Sequence, residues 1–361
     1  MLISGAGIAG ATLASLLGRD GHQVTVVERD QGVRSSGNPV DVRGNAFGVA
    51  ERLGLVPRLR DIATSVRELL LVDAAGGRVA SMKTRRSDER ELEVPRADLC
   101  AALIETAQRD AEFRFDDILV AIRSDGDGAN VTFERGPADR FDLVVGADGI
   151  HSGVRRLVFG AEEDFVQRLG MYVATVRLPI AVERDDAVFL YNEPGVATAL
   201  HPATGSPVAA FMFRSRVSVD PRERERARSL MAAVYGDLGW RSRELLTGYL
   251  AADDTYFDGV SRVRVSPWSR GRVTLLGDAA SSVSVFGEGS SSAISGADAL
   301  ARSLSATPED VPSALARYES THRRVTGRGQ RAVPIVSHLL IPSSRAGIAL
   351  RNQALRLTSR R

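Results

Sequence analysis

Apolar runs and helical segments alternate along the N-terminal stretch of the chain. The apolar residues 2–4 lead into a glycine-rich turn, and a helix with one apolar face is predicted from about Ile8 to Arg19. A valine-rich segment, residues 22–27, is predicted as the next strand and ends at Glu28. Strand, turn, helix and strand in this order predict a βαβ unit, and therefore an α/β fold built on a parallel sheet.

Further strands are predicted beyond this unit. Two apolar runs at residues 68–72 and 78–82 flank a turn with paired glycines, which is typical of a hairpin. Other strand-like segments lie at residues 113–123, 130–134, 141–145 and 273–276.

Residues 171–267 differ in character from the rest. Short apolar segments are separated by turn residues, which predicts a mostly antiparallel sheet, a helical pair and one more strand near 260–265. We expect this sheet to form a second domain inserted into the first. The predicted domains are residues 1–67, 95–170 and 268–308 for the first, 68–94 and 171–267 for the second, and 309–361 for a helical C-terminal segment.

Composition narrows the class of protein. With 361 residues and 43% hydrophobic content the chain can bury a full core, and a net charge of +2 does not indicate a nucleic-acid partner. The single cysteine, Cys100, excludes an internal disulfide framework and fits a reducing cytoplasm. The apolar runs are too short to span a membrane, and the five histidines lack metal-site spacing. We expect a soluble cytoplasmic protein without a membrane, nucleic-acid or metal partner.

The first turn carries a dinucleotide-binding pattern, Gly5-x-Gly7-x-x-Gly10, with Glu28 at the end of the next strand. Such glycines permit a tight turn and close approach to a pyrophosphate at a helix N-terminus, and the acidic residue suits a ribose. Glycines that merely allow helix–strand packing would explain Gly10, but not Gly5 and Gly7 together. The unit therefore predicts an adenine dinucleotide.

Two later segments resemble further walls of a ligand site. The apolar strand at 141–145 runs into Gly146-Ala147-Asp148-Gly149, where Asp148 either faces a ligand or simply caps the following helix. The stretch from Gly277 to Leu304 joins a Gly-Asp turn, closely spaced glycines and a small-residue helix. So many small residues allow backbone to approach a large flat ligand.

Together these motifs resemble a known family. Gly5-x-Gly7-x-x-Gly10 with Glu28-Arg29, the segment from Gly146 to Gly149 with Ser152 and Arg155, and Gly277-Asp278-Ala279-Ala280 follow the order and spacing of the para-hydroxybenzoate hydroxylase-like (group A) FAD-dependent monooxygenases. Arg34, Gly37, Asp41 and residues 95–99 are most similar to the tetracycline-inactivating monooxygenases and to hydroxylases of natural-product pathways. The resemblance implies a Rossmann-like FAD-binding domain with an inserted substrate-binding sheet.

The resemblance also implies FAD contacts. The glycine turn would face the pyrophosphate, Glu28 the adenosine ribose, Asp278 the ribityl region, and the backbone of residues 287–291 the flavin pyrimidine edge. The expected cofactor-binding residues are Gly5, Gly7, Ile8, Ala9, Gly10, Glu28, Arg29, Arg34, Asp41, Arg96, Leu119, Asp148, Gly149, Gly277, Asp278, Gly287, Glu288, Gly289, Ser290 and Ser291. For Arg96, a surface ion pair with Asp98 or Glu93 is the simpler alternative.

The implied reaction is monooxygenation. Transient NAD(P)H would reduce FAD, O2 would add to give a flavin C4a-hydroperoxide, and an aromatic or polycyclic substrate of secondary metabolism or antibiotic modification would take one oxygen atom. No protein residue is expected to be catalytic, because the flavin carries the chemistry. The alternatives are a halogenase, reductase or redox-neutral flavoenzyme on the same scaffold, or a non-catalytic FAD-binding protein. We expect a monomer or homodimer.

Five residues are candidates for the substrate pocket: Phe286, Tyr191, His201, Phe211 and Phe213. Phe286 precedes the paired glycines and is expected to separate flavin from substrate, whereas His201 is more readily an ordinary sheet or loop histidine than a residue that orients the substrate. Strand alternation places Phe211 and Phe213 on one face and Met212 on the other, so one of these sets belongs to the core. The chain departs from the family pattern at Ser281, Val285 and Glu288.

Overall fold

The computed structural model describes residues 1–32, 38–83, 90–203, 206–282 and 288–358. Its strands, in chain order, are β1 (Leu2–Ser4), β2 (Thr25–Glu28), β3 (Val40–Val42), β4 (Glu68–Val72), β5 (Arg78–Lys83), β6 (Leu92–Val94), β7 (Glu112–Phe115), β8 (Leu119–Ser124), β9 (Ala129–Phe133), β10 (Asp139–Phe141), β11 (Val144–Gly146), β12 (Val166–Arg177), β13 (Ala187–Glu193), β14 (Val196–His201), β15 (Val208–Arg214), β16 (Thr255–Val263), β17 (Ser269–Arg270) and β18 (Val273–Leu275).

The helices surround two main sheets. They are α1 (Ile8–Arg19), α2 (Asn45–Arg52), α3 (Val56–Asp61), α4 (Arg96–Ala107), α5 (Gly153–Val158), α6 (Arg224–Tyr235), α7 (Ser242–Ala251), α8 (Glu288–Ala306), α9 (Val311–Leu340) and α10 (Arg345–Thr358). Short 3-10 turns lie at Glu162–Asp164 and Gly277–Ala279.

The first sheet has the order β17-β18-β11-β1-β2-β7, and its four central strands are parallel. These strands are short and almost wholly apolar because both of their faces are buried. Helix α1 packs against α4 and α8, and α8 packs in turn against α9. The predicted α/β class is confirmed.

The second sheet has the order β16-β12-β15-β14-β13-β4-β5 and is antiparallel except where β13 meets β4. One face packs against α6 and α7 through a cluster that includes Phe211, Phe213, Tyr235 and Tyr249. The other face carries smaller side chains, among them Ala197, Ala199 and Ala210, and packs against Ile341 beyond α9. The predicted mostly antiparallel second sheet and helical C-terminal segment are thus confirmed.

Three sequence expectations differ from the structure. The segment 113–123 is two strands rather than one, because Asp116 adopts a φ of +61° between β7 and β8. Strand β6, which the domain prediction groups with the second sheet, pairs instead with β3. Strand β16 begins at Thr255, five residues before the predicted start at 260, because the chain pairs with β12 from that point.

Candidate functional site

The predicted ligand-binding turns emerge at one edge of the first sheet. Ser4 lies opposite Val27 on one side and Gly146 on the other, and Gly146 lies opposite Leu275. Since these strands are parallel and in level register, the turns that follow them meet at the carboxyl edge of the sheet. Ligands bind at this edge in open α/β sheets.

The three glycines of the first turn differ in what surrounds them. A Cβ at Gly5, whose φ is +104°, would lie 2.7 Å from the Ala147 carbonyl oxygen, and one at Gly10 would lie 1.9 Å from the Gly5 oxygen. A Cβ at Gly7 would meet nothing within 4 Å in the described structure. Gly5 and Gly10 are therefore needed for packing, whereas Gly7 borders open space at the N-terminus of α1.

The N-terminus of α1 is suited to an anion. Gly7 is its N-cap residue, and no acidic side chain of the helix itself lies in its first turn to neutralise the positive end of the helix dipole. The Cys100 thiol lies nearby, 3.4 Å from the Ala6 oxygen, and burial raises its pKa to about 11. The thiol is consequently protonated at neutral pH and is a packing group rather than a nucleophile.

Glu28 is fixed beside this turn. Its Oε2 accepts a hydrogen bond from the Ala6 N–H at 2.8 Å, and its Oε1 accepts one from the Asp30 N–H at 3.1 Å. Each carboxylate oxygen retains a further lone pair, so both can still accept a hydrogen bond from a ribose hydroxyl. Arg29, by contrast, is exposed and pairs loosely with Asp30.

Arg155 joins the second turn, residues 146–149 at the end of β11, to the third turn, Gly277–Ala279 after β18. This side chain is 0% exposed, and its Nη1 donates to the Ala279 oxygen at 3.0 Å while its Nη2 donates to the Ile150 oxygen. Asp148 accepts the Val154 N–H at 3.0 Å through Oδ2, and Ser152 accepts the Arg155 N–H at 2.9 Å. Both side chains therefore cap α5, and Asp148 has a structural role whatever else it contacts.

Asp278 lies in the third turn. Burial raises the pKa of this carboxyl, and Arg96 at the start of α4 opposes that rise. A Cβ at Gly277 would lie 3.0 Å from the Ala9 Cβ, so this turn packs closely on the beginning of α1. Asp278, Arg96 and the glycine turn thus border the same space.

The start of α8 is tied to β3 through serine side chains. Ser290 Oγ and Ser291 Oγ each donate to the Asp41 carbonyl oxygen at 2.7 Å, and the Arg43 N–H donates to Ser291 Oγ at 3.2 Å. Contacts to a cofactor from this helix start would accordingly come from backbone N–H groups. Arg34, Phe286 and Gly287 lie outside the described residues, as does the Glu288 side chain.

Comparison with known proteins identifies the family. Residues 1–332 match the FAD binding domain family. A flavin-dependent monooxygenase of an unidentified prokaryote is 32% identical over 88% of this chain and 84% of its own length. The chain belongs to the flavin-dependent monooxygenases. FAD is its cofactor, and the family resemblance inferred from the motifs is confirmed.

Two further comparisons cover nearly all of this monooxygenase. An uncharacterised protein of Mycobacterium tuberculosis is 37% identical over 91% of each chain. The crystal structure of tetracycline destructase Tet(55) superposes with a TM-score of 0.85 at 30% identity, covering 98% of this chain and 94% of that one. The fold of this chain is therefore shared with Tet(55) over most of its length.

Three of the predicted substrate residues lie away from the FAD edge of the monooxygenase. Phe211 and Phe213 are 0% exposed and contact Tyr235, with ring centroids 4.9 and 5.9 Å apart. Tyr191 lies in the same cluster and donates from its hydroxyl to Glu193 at 2.8 Å. The expectation that these three side chains form the pocket is corrected, because α6 and α7 cover that face of the sheet.

His201 is fully engaged by protein groups. Its Nδ1 accepts the Ala203 N–H at 3.1 Å, so Nε2 carries the hydrogen and donates to Glu93 at 3.0 Å. The simpler interpretation of an ordinary sheet histidine accounts for both contacts.

Sequence reasoning missed Tyr256. Its side chain is partly buried, its pKa is raised by desolvation and by Asp258, and Arg96 and Asp278 both influence it electrostatically. Its hydroxyl lies 3.4 Å from Asp258 Oδ2, and Asp258 lies 3.5 Å from the His151 ring. Extending the alternation of β16 back from 260 would have placed Tyr256 and Asp258 on one face.

The described residues contain neither a metal-ligand cluster nor a membrane-spanning helix. No three His, Cys, Asp or Glu side chains there are grouped to hold a metal ion. No helix in the described ranges is long and apolar enough to cross a bilayer.

Proposed function

We propose that this protein is a cytoplasmic, NAD(P)H-consuming monooxygenase that hydroxylates or epoxidises an aromatic or polycyclic small molecule, as a monomer or homodimer. The observation that carries the proposal is the meeting of three turns at the carboxyl edge of the first sheet, where Arg96 and Asp278 are close enough to influence Tyr256 of the second sheet electrostatically. The likeness to a tetracycline destructase supports a polycyclic substrate and a role in antibiotic modification or secondary metabolism.

Different residues of the described chain would contact different parts of the cofactor. Gly7 and the N-terminus of α1 would hold the pyrophosphate, and Glu28 the adenosine ribose. Asp278 and Arg96 would border the ribityl chain, and the N-terminus of α8 would lie at the pyrimidine edge, where its dipole favours negative charge. When bound, FAD would supply the redox chemistry by taking a hydride from NAD(P)H and passing one oxygen atom of O2 to the substrate.

The substrate would lie against the second sheet on the face opposite α6 and α7. Cross-strand neighbours point to the same side, and Val173 lies opposite both Met212 and Asp258. Tyr256 shares this side, two residues from Asp258, and its electrostatic coupling to Arg96 and Asp278 supports a position near the cofactor edge. Alanines at 197, 199 and 210 lie on the same face, in a cluster that also contains Ile341.

The proposal is tested by isotope labelling. The purified protein should be yellow, release FAD on heating and oxidise NAD(P)H faster when a substrate from an aromatic and polycyclic library is present. Turnover under ¹⁸O2 should place one labelled atom in the product. Bound FAD with product formation unchanged under anaerobic conditions would instead establish a reductase or redox-neutral enzyme, and a protein that binds no FAD would refute both.

A further inference from the structure

A buried polar stripe runs along α9. Tyr318, His322, Thr326 and Gln330 follow one another at intervals of four residues, and their exposed fractions are 0%, 4%, 7% and 8%. Side chains at this spacing lie on one face of a helix. Buried polar groups in native proteins nearly always have hydrogen-bond partners, so the partners of this stripe are informative.

The two ends of the stripe are satisfied by protein groups. The Tyr318 hydroxyl donates to the Leu275 oxygen at 3.1 Å. Gln330 Nε2 donates to the Val263 oxygen at 2.8 Å and to Ser281 Oγ at 3.0 Å. These contacts anchor α9 against the first sheet and against the end of the Gly-Asp turn.

Among the described residues, the middle of the stripe lacks such partners. Thr326 makes only a long bond there, of 3.4 Å to the Arg323 oxygen of its own helix. The His322 ring makes no hydrogen bond within the described part of the chain, and desolvation alone lowers its pKa, to about 4. Its neighbours are the Tyr318 ring, parallel at a centroid distance of 6.1 Å, and the edge of Trp268.

The His322 and Thr326 side chains both line a cavity of about 290 Å³ between α8, α9 and the Gly-Asp turn. Ser292 and Ser295 of α8 add hydroxyl groups to its wall. Because a water occupies about 30 Å³ of liquid, the space can hold several waters with polar partners. Its wall includes both Val325, which is 56% exposed, and the partly buried turn residue Asp278.

We propose that this cavity is a hydrated proton path from the surface at Val325 to the cofactor wall at Asp278, with His322 and Thr326 as its hydrogen-bonding lining. The inference rests on the proposed function, which places FAD at Asp278. The overall reaction, R–H + O2 + NAD(P)H + H⁺ → R–OH + NAD(P)⁺ + H2O, consumes one proton from solvent in each turnover. A neutral imidazole accepts a proton on one nitrogen as it releases one from the other, so His322 need not hold a charge.

His322 is kept neutral by desolvation, and the charged groups around the path do not offset that effect. Asp278 and Arg43 lie in the cavity wall, and Arg323 and Glu319 lie on α9 beside Trp268, where Arg323 stacks over the indole at 4.8 Å.

A purely structural role for His322, as an aromatic ring between Tyr318 and Trp268, is the competing interpretation. His322→Phe separates the two, because phenylalanine preserves the ring packing and removes both nitrogens.

The test uses the FAD-loaded protein without NAD(P)H or substrate. Two-electron reduction of bound FAD to its anionic reduced form takes up one proton. Anaerobic stopped-flow mixing with two equivalents of reduced methyl viologen, a one-electron donor that releases no proton on oxidation, allows a pH-indicator dye in weakly buffered solution to follow that uptake directly. We expect His322→Phe to leave the amount of proton uptake unchanged and to slow its rate at least about tenfold. Thr326→Val should also slow proton uptake. Ser320→Leu, on the exposed side of α9, should leave the rate of proton uptake at its wild-type value.

Rescue and hydration complete the experiment. Added imidazole should restore the proton-uptake rate of His322→Ala, and crystals of the FAD-loaded protein should show ordered water bonded to the His322 ring and to Thr326 Oγ1. A wild-type rate in His322→Phe, or a dry cavity, would overturn the inference. Since the readout needs only bound FAD, a protein that fails to oxygenate any substrate still tests it, and the two proposals fail separately.

Discussion

Arg155 Nη1 donates to the Ala279 oxygen at 3.0 Å across 124 residues of sequence, and this contact joins two of the turns that border the cofactor space. Arg155→Met should leave the Ala279 and Ile150 oxygens without their buried donor. We expect a loss of about 2–4 kcal/mol in the free energy of unfolding, measured by urea denaturation, together with weaker FAD retention.

The matched control for Arg155 is its neighbour. Arg156 is exposed and pairs with Glu162 at 3.4 Å, so Arg156→Met should change stability by no more than about 1 kcal/mol. Equal effects of the two substitutions on FAD retention would refute the assignment of Arg155 as the link between the turns.

The glycine turn gives a second prediction. Gly7→Ala should fold with nearly wild-type stability, since a Cβ there meets nothing within 4 Å, but it should weaken FAD binding at least about tenfold by filling cofactor space. Gly10→Ala should lower the free energy of unfolding by about 1–3 kcal/mol, because its Cβ would lie 1.9 Å from the Gly5 oxygen. Thermal melts of the apoprotein and FAD titrations measure the two effects independently. Unchanged FAD affinity in Gly7→Ala would show that the pyrophosphate lies elsewhere.

The contrast between Gly7 and Gly10 illustrates what the sequence can and cannot supply. The spacing of the glycines and Glu28 sufficed to predict the βαβ unit, since turn, helix and strand are local and their signals are adjacent. Which glycine packs and which borders the ligand depends on the Ala147 and Gly5 carbonyls, and that is decided only when β11 pairs with β1.

The second sheet shows the same limit for side-chain direction. Alternation divides Phe211 and Phe213 from Met212, yet it does not say which set meets the cofactor domain. That choice is made by α6 and α7, whose Tyr235 and Tyr249 cover the phenylalanine side. A missed start of β16 similarly hid Tyr256, because the alternation was followed only from residue 260.

His322 predicts an unusual pH dependence of stability. Burial lowers its pKa from 6.5 to about 4 in the folded protein, so the unfolded chain binds a proton more readily than the folded one between these values. Folding stability should therefore fall as pH decreases from 6.5 to 4, by roughly 3 kcal/mol for this residue. Urea titrations at several pH values measure the slope, and His322→Phe should lack this part of it. An identical slope in the variant would contradict the assigned pKa shift.

His151 predicts the opposite slope. Its ring lies 3.0 Å from Glu162 and 3.5 Å from Asp258 of the second sheet, and these carboxylates raise its pKa above 6.5, with Asp258 the larger influence. The stabilisation is fully present below pH 6.5 and is lost as pH rises through the folded-state pKa. We expect His151→Gln to be less stable than wild type at pH 6, and the difference to shrink at alkaline pH. A difference that persists unchanged to pH 9 would indicate a contact that does not depend on charge.

The side of the second sheet that meets the substrate is tested by Met212, which lies opposite Val173 and Ala197 on the face turned away from α6 and α7. Met212→Trp should crowd this face and change the KM for an identified substrate several-fold, while FAD affinity and the free energy of unfolding remain close to wild type. Phe211→Leu, one residue earlier, is the control: it should cost about 1–3 kcal/mol in stability, because a fully buried ring is lost, and leave KM unchanged. Steady-state NAD(P)H oxidation and urea denaturation supply the two measurements. If Phe211→Leu changed KM and Met212→Trp did not, the substrate would have to reach the face covered by the helices, and the pocket would lie on the opposite side of the sheet from the one assigned.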